Sequence, residues 1–262
     1  MKFINLIFIL LLLVISCQNT KNEKSIANTD ILVTEHSKDI NRIHKTEYPD
    51  YLNIDFITGN FDPAKHPQFI RVEEKYTNKT NIFIDRETYR AFKKMYIDAY
   101  RAGFRLVIVS AARNFDYQKR VWNYKWSKLS DTLTDFEKTK NILEYSSMPG
   151  SSRHHWGTEI DLNVLENSYY EQGDGRKILD WMKANAKNYG FCQPYTPDRE
   201  KGFKEERWHW SYMPISKIYF KYMSENMKDE YIKGFKGAEF AHDLKITQDY
   251  MLSINQDCIL NE

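Results

Sequence analysis

Hydrophobic residues recur at spacings of three and four between residues 86 and 102, a pattern typical of a helix with one buried face. Asp85 stands where an N-cap residue would begin this helix, and Gly103 suits its exit. The apolar face consists of Tyr89, Phe92, Tyr96 and Ala99. The next segment, residues 106–110, is short, apolar and rich in β-branched residues, which predicts a buried strand.

Helices and strands alternate further along the chain. Thr134 and Glu137 have the spacing of a capping box, which predicts a helix start. A third helix is predicted over residues 176–189, ended by Gly190, and the chain again has helical character after Ile215. The other predicted strands cover residues 158–162 and 208–212. The mixture predicts an α+β fold, with a small, mainly antiparallel sheet and flanking helices in a single domain.

The amino-terminal segment has the pattern of an export signal. Lys2 precedes an apolar run over residues 3–15, which is shorter than the roughly 20 residues that a helix needs to cross a bilayer. Residues 14–17 resemble a bacterial lipoprotein box, in which the signal is cut before Cys17 and the thiol carries lipid. The alternative is a plain signal peptide with an incidental cysteine. Either way the pattern predicts an exported protein, and lipidation would anchor it to a bacterial membrane on the periplasmic or cell-surface side.

The chain divides into four predicted segments. Residues 1–16 form the signal peptide, and residues 17–50 are polar and charged, as in a flexible tether. Residues 51–214 form the main domain, and residues 215–262 form a helical extension that we expect to pack on it.

The composition is that of a globular protein, and its charge balance gives no support to nucleic-acid binding. With 42% hydrophobic and 28% charged residues, the chain falls in the range of globular proteins. Its 38 basic and 36 acidic residues give a formal charge of only +2, so no electrostatic argument favours nucleic-acid binding. If Cys17 is lipidated, Cys192 and Cys258 remain, and they could form a disulfide or stay as buried thiols.

Two short segments, residues 152–161 and 206–209, concentrate the chemistry of the chain. They supply three imidazoles and three carboxylates, from His154, His155, His209, Glu159, Asp161 and Glu206. Catalytic zinc commonly takes three protein ligands, with imidazole nitrogen and carboxylate oxygen both suitable, and leaves a fourth position for water. Two histidines and one aspartate would meet that requirement.

Alternation along the two strands predicts one polar face. In the first strand Glu159 and Asp161 share a face, while the residues next to them turn to the core. In the second strand His209 points away from the core, and the tryptophans on either side of it point inward. Glu206 lies three residues before His209, so it reaches the same cavity only if the chain turns between them.

The spacing of these residues follows a known pattern of Ser-x-His, six further residues and Asp, then a later Glu-x-x-His. Upstream, a Ser-Ala-Ala-Arg run followed by Tyr-Gln is similar to a Ser-Gly-Tyr-Arg segment with a trailing Gln. The matching positions are Ser110, Arg113, Tyr117, Gln118, Ser152, His154, Asp161, Glu206, Trp208 and His209. Over residues 82–212 the sequence resembles the VanY-type D-alanyl-D-alanine carboxypeptidases, zinc peptidases that trim bacterial peptidoglycan stems.

The resemblance implies that Zn²⁺ is held by His154, Asp161 and His209. It implies that Glu206 is the general base, because a carboxylate near metal-activated water is a suitable proton acceptor. Arg113 would stabilise the oxyanion or hold the substrate carboxylate, since its planar guanidinium presents a fork of donors to oxygen. The implied substrate contacts are Ser110, Gln118 and Ser152.

The chain also departs from the family pattern. Glu159 stands where the family commonly has Ala; it could orient a metal ligand or meet a cationic substrate group, and it leaves open whether it or Asp161 binds the metal. His155 is assigned to packing or the outer shell, because the family spacing selects His154. Residues 119–150 form a longer stretch than in compact relatives, which affects the shape of the groove.

The function implied by the resemblance is hydrolysis of the terminal D-alanine peptide bond of peptidoglycan stem peptides. An L,D-carboxypeptidase or a peptidoglycan endopeptidase would use the same zinc chemistry, and specificity depends on the groove. A non-catalytic zinc-containing lipoprotein that binds cell wall is the alternative from another class, and it would have no need of a base at Glu206. The expected partners are the stem peptide and, through lipid only, the membrane.

Overall fold

The computed structural model describes residues 48–260 of the chain. The predicted signal peptide, Cys17 and the predicted tether up to residue 47 lie outside the described residues. Within the described part, no helix combines the length and the apolar character needed to span a membrane.

The described chain begins with helix α1 (Ile54–Thr58) and a two-stranded antiparallel sheet of β1 (Phe69–Arg71) and β2 (Phe83–Asp85). The predicted long helix follows as α2 (Arg86–Arg101). Its N-cap is Asp85, whose carboxylate accepts the backbone N–H groups of Glu87 and Thr88, both at 2.9 Å. Gly103 follows the helix with φ of 88°, a left-handed conformation that favours glycine.

A second antiparallel sheet has four strands, β3 (Ile108–Ser110), β4 (Glu159–Leu162), β5 (Phe191–Cys192) and β6 (His209–Tyr212). They lie side by side in the order β3-β4-β6-β5. In the β4–β6 pair Asp161 is opposite His209, and Glu159 is opposite Ser211. This register turns the polar side chains of both strands to one face. The α+β class with a small antiparallel sheet is confirmed.

Helix α3 (Phe115–Trp126) was not predicted. It begins at Asn114, whose side chain accepts the N–H of Tyr117 at 2.9 Å. Its Trp122 and Trp126, spaced by four residues, are both buried, and that spacing was the available signal.

Helix α4 (Asp135–Leu143) begins at the predicted capping box, where Glu137 N–H donates to Thr134 Oγ1 at 3.2 Å and Thr134 N–H donates to Glu137 Oε2 at 2.8 Å. The long 119–150 stretch thus contains most of α3 and all of α4.

Helix α5 (Gly173–Asn185) begins three residues earlier than predicted, and its last turn tightens into a 3₁₀ segment, Ala186–Tyr189. The apolar face of the sheet, including Ile160 and Trp210, packs with side chains of α2 and α5 into one core.

Helix α6 (Met213–Asn226) is followed by short 3₁₀ turns, a π-helical segment (Ile246–Met251) and α7 (Asp257–Leu260). The chain after Ile215 is therefore less regular than the helical character expected from its sequence. Side chains of this region join the tryptophans of α3 in a second core. A disulfide between Cys192 and Cys258 joins β5 to α7. Of the two alternatives that the sequence left open, the structure therefore has the disulfide and not two free thiols.

Candidate metal centre and substrate cleft

Three buried side chains converge on one point of the polar face. His154 comes from a 3₁₀ turn (Arg153–Trp156), and Asp161 and His209 come from β4 and β6. His154 Nε2 lies 3.2 Å from His209 Nδ1 and 3.3 Å from Asp161 Oδ2, and His209 Nδ1 lies 3.0 Å from Asp161 Oδ1. These three residues are the group among the described residues whose donor atoms could hold a metal ion.

Hydrogen bonds behind the two rings orient them toward this point. His154 Nδ1 is 2.7 Å from the carbonyl of Ala111, which can only accept, so its proton is on Nδ1 and Nε2 presents a lone pair. His209 Nε2 donates to Glu159 Oε2 at 2.8 Å, which leaves Nδ1 as the nitrogen that faces the cluster. Two imidazole nitrogens and one carboxylate in this arrangement fit the donor set of a catalytic zinc site.

The charges around His209 favour a cation. Burial by itself lowers the pKa of His209, but hydrogen bonds to Asp161 and Glu159 and the charges of both carboxylates raise it to about 9. The same negative charge would stabilise a divalent cation, which competes with the proton for Nδ1.

Glu206 reaches the cluster because the chain turns just before β6. The N–H of His209 donates to the Glu206 carbonyl at 3.3 Å, and this turn brings Glu206 Oε2 to 3.4 Å from His209 Nδ1. Burial raises the pKa of Glu206 to about 7, and the charge of Asp161 acts in the same direction. A carboxyl group with this pKa can exchange a proton near neutral pH.

His155 has no free nitrogen for a metal. Its Nδ1 donates to the carbonyl of Arg113 at 2.6 Å, and its Nε2 accepts the N–H of Gly150 at 3.1 Å. Burial lowers its pKa to about 3, so the ring stays neutral. The ring also leaves no room for a side chain at Gly59, where a Cβ atom would come within 2.4 Å of Nδ1. The structure therefore places His155 in a packing role behind the cluster.

Glu159 and Asp161 face opposite edges of the same imidazole. Asp161 lies on the Nδ1 side of His209 together with His154, whereas Glu159 contacts only the far nitrogen, Nε2. Glu159 is fully buried and also accepts a hydrogen bond from Arg153. Of the two carboxylates, Asp161 and not Glu159 belongs to the candidate metal group, because only Asp161 faces His154 and His209 Nδ1 together.

A cavity of about 630 Å³ opens onto the cluster. His154, Asp161, His209 and Glu206 all contribute to its wall, so a peptide in the cavity would contact the metal position and the adjacent carboxylate together.

The model of the family described as VanY, D-alanyl-D-alanine carboxypeptidase, matches residues 81–215, which is half of the chain and contains His154, Asp161, Glu206 and His209. This chain belongs to the VanY family. A protein of Bacillus subtilis strain 168 named as a carboxypeptidase, YodJ, is 28% identical over 169 residues. The match covers 60% of this VanY-family chain and 56% of YodJ, so the chain spans little more than half of that relative.

Solved structures with a similar backbone include VanYB in complex with D-alanine-D-alanine, which is 20% identical to this chain with a TM-score of 0.46. The aligned region covers 64% of this chain and 90% of the VanYB chain. The LD-carboxypeptidase LdcB is 21% identical to this chain with a TM-score of 0.48. The aligned region covers 74% of this chain and 78% of the LdcB chain.

Two cations line the cleft of this VanY-family protein. Arg113 comes from the segment between β3 and α3, and its buried Nε has no hydrogen-bond partner within residues 48–260. Lys125 projects from α3 one turn beyond Val121 and two turns beyond Tyr117, which line the same wall. Burial lowers the pKa of Lys125. Both cations feel the charge of Glu206, but among the described residues neither has a carboxylate within salt-bridge distance, so an anion in the cleft can pair with them.

The structure separates the three predicted substrate contacts. Ser110 and Ser152 line the cleft. Gln118 is buried and does not line it; its Nε2 donates to the carbonyl of Ser147 at 2.8 Å, and Ser147 does line the cleft. In this structure Gln118 therefore supports the wall of the cleft from behind.

Sequence reasoning missed two side chains of the site. Lys125 lies on α3, and the Trp122–Trp126 spacing that reveals this helix would have placed Lys125 on a known face. Tyr195 is buried with its ring centroid 4.7 Å from that of His209, and no spacing in the sequence links the two residues.

Proposed function

We propose that this VanY-family protein is a zinc-dependent D-alanyl-D-alanine carboxypeptidase, which hydrolyses the terminal peptide bond of peptidoglycan stem peptides. The observation that carries the proposal is the buried Glu206 carboxylate beside three convergent ligand side chains in one cleft. A protein that only binds cell-wall peptide has no need of a proton acceptor there. Glu206 therefore favours an enzyme over a binding protein.

His154, Asp161 and His209 are the residues that would hold the metal. When bound, zinc supplies Lewis acidity, which lowers the pKa of water to about 7 and polarises a carbonyl group. Glu206 accepts a proton from the attacking water and passes it to the leaving amine of D-alanine, for which its raised pKa is suited.

Arg113 and Lys125 match the two negative charges of the reaction. One charge develops on the oxygen of the scissile carbonyl, and the other is the carboxylate at the end of the substrate. Two cations that line one cleft, neither of them in a salt bridge with the described carboxylates, can stabilise both. Because an internal crossbridge lacks the terminal carboxylate, this charge pattern favours a carboxypeptidase over an endopeptidase.

We also propose that the protein is exported and anchored to the bacterial membrane by lipid on Cys17. The apolar run over residues 3–15 and the small Ser16 before the cysteine support this proposal. A peptidoglycan substrate also lies outside the cytoplasmic membrane. Metabolic labelling with a fatty acid should label the wild-type protein but not Cys17→Ala, and unlabelled wild-type protein would favour the plain signal peptide.

Product analysis tests the reaction directly. Purified zinc-loaded protein is incubated with a pentapeptide ending in D-Ala-D-Ala, a tetrapeptide with a single D-Ala and a cross-linked dimer, and the products are identified by mass. We expect D-alanine release from the pentapeptide. Cleavage of the tetrapeptide alone would indicate an L,D-carboxypeptidase, and cleavage of the dimer alone an endopeptidase. Binding of all three without cleavage would favour the non-catalytic lipoprotein.

A further inference from the structure

A buried charged cluster lies behind His209, on the side opposite the metal position. It consists of Arg153, Glu159 and Ser211, whose exposed fractions are 1%, 0% and 0%. Arg153 Nη2 donates to Glu159 Oε1 at 3.0 Å and to Ser211 Oγ at 2.9 Å, and Ser211 Oγ donates to Glu159 Oε1 at 2.7 Å. The second oxygen of Glu159 is thereby left for His209 Nε2, at 2.8 Å.

The backbone makes this contact specific. Glu159 and Asp161 lie two residues apart on β4 and share a face, and the register of the β4–β6 pair sets His209 opposite Asp161. The two carboxylates therefore contact opposite nitrogens of one imidazole. A ring held at both edges has one orientation, and a proton shared with Glu159 Oε2 selects the tautomer whose Nδ1 faces the metal position.

Arg153 gives the carboxylate its charge partner. The guanidinium lies over the ring of Trp156, 4.6 Å from its centroid, and its only salt bridge among the described residues is with Glu159. The buried carboxylate of Glu159 thus has a cation at 3.0 Å from one oxygen and the imidazole of His209 at 2.8 Å from the other.

We propose that Glu159, held by Arg153 and Ser211, is a positioning residue that fixes the orientation and tautomer of His209 for metal binding. The role rests on the metal site and is independent of which peptide the enzyme cleaves. It gives a function to the position where the family commonly has Ala, and the ion pair with Arg153 lets each buried charge compensate the other.

Four variants separate positioning from a merely structural role: Glu159→Ala, Glu159→Gln, Arg153→Met and the double variant R153M/E159A. Zinc dissociation constants are measured by competition with a chromophoric chelator, and thermal midpoints are measured on the zinc-free proteins. For Glu159→Ala we expect zinc binding to weaken roughly 10- to 100-fold. Glu159→Gln should weaken it less, because the amide oxygen still accepts the proton of His209 Nε2 but carries no charge.

The double variant gives the decisive result. Removing Arg153 together with Glu159 eliminates the unpaired buried charge, so the thermal midpoint should recover relative to Glu159→Ala. Zinc binding should stay as weak as in Glu159→Ala, because His209 still lacks its carboxylate. Arg153→Met alone should lower the midpoint while binding zinc more tightly than Glu159→Ala does.

Recovery of zinc affinity together with stability in the double variant would overturn the positioning role, as would unchanged affinity in Glu159→Ala. If Glu159→Ala does not fold, Glu159→Gln and the double variant still decide the question. Wild-type protein that fails to bind zinc would overturn both this role and the metal site. Normal zinc binding without D-alanine release would overturn only the proposed function.

Discussion

Asp161 and His209 are directly opposite each other across the β4–β6 pair, with Asp161 Oδ1 3.0 Å from His209 Nδ1. Strand pairing alone therefore brings together two of the three candidate ligands, which lie 48 residues apart in the chain. The third candidate ligand, His154, lies in a 3₁₀ turn. Its backbone carbonyl accepts the N–H of Arg113, so the same turn also places Arg113 at the cleft.

Replacing His209 with Ala should abolish tight zinc binding. Loss of a direct ligand costs at least as much as loss of its hydrogen-bond partner, so we expect the affinity to fall more than roughly 100-fold in a chelator competition. The matched control is His155→Gln, which removes the neighbouring buried imidazole. It should retain zinc and lose about 1–3 kcal/mol of stability through its two hydrogen bonds. Zinc loss in His155→Gln and not in His209→Ala would reverse the ligand assignment.

Replacing Glu206 with Gln should lower kcat for D-alanine release by roughly 10²- to 10⁴-fold, because the amide cannot accept the proton of the attacking water. The zinc content of the variant, measured by atomic absorption, should remain near one equivalent per chain, as in the wild-type protein, since Glu206 is not among the three candidate ligands. Glu205→Gln is the control, because Glu205 pairs with Arg207 outside the cleft. Equal kcat values for the two variants would remove Glu206 from the mechanism.

Replacing Lys125 with Met should weaken recognition of the free substrate carboxylate. A hydrogen bond to a charged group contributes about 1.5–3 kcal/mol, so KM for the pentapeptide should rise on the order of 10-fold or more. The same peptide with a terminal amide tests the charge, since it should bind the wild-type protein and Lys125→Met equally weakly. Lys128→Met changes an exposed lysine beyond the end of α3 and serves as the control. A wild-type protein without preference for the free acid would contradict this role of Lys125.

Replacing Cys192 and Cys258 together with Ser should lower the free energy of unfolding by about 2–4 kcal/mol, because the disulfide closes a loop of 66 residues in the unfolded chain. Urea unfolding of the two proteins, each with and without reductant, measures the difference. Reductant should destabilise the wild-type protein and leave the double variant unchanged. Identical urea midpoints for the oxidised wild-type protein and the variant would mean that the link between β5 and α7 does not stabilise the fold.

Much of the site could be predicted from the sequence because the relevant rules are local. Strand alternation predicted that Glu159 and Asp161 share a face, and the structure confirms it on β4. The capping box at Thr134 likewise depends on residues three apart. The requirement for a turn between Glu206 and His209 also followed from parity, and the turn is present.

Only the tertiary structure decided which of these groups touch. Whether Glu159 or Asp161 faces the metal depends on strand register and on the buried charge of Arg153, and neither can be read from local spacing. The burial of Gln118 behind the cleft wall and the pairing of Cys192 with distant Cys258 are long-range contacts as well. The sequence by itself determined the residue types, the faces they occupy and the family. Tertiary packing decided which side chains contact each other. It brings segments that are remote in the sequence together and buries their side chains, and this sets the charge and the proton position of each group.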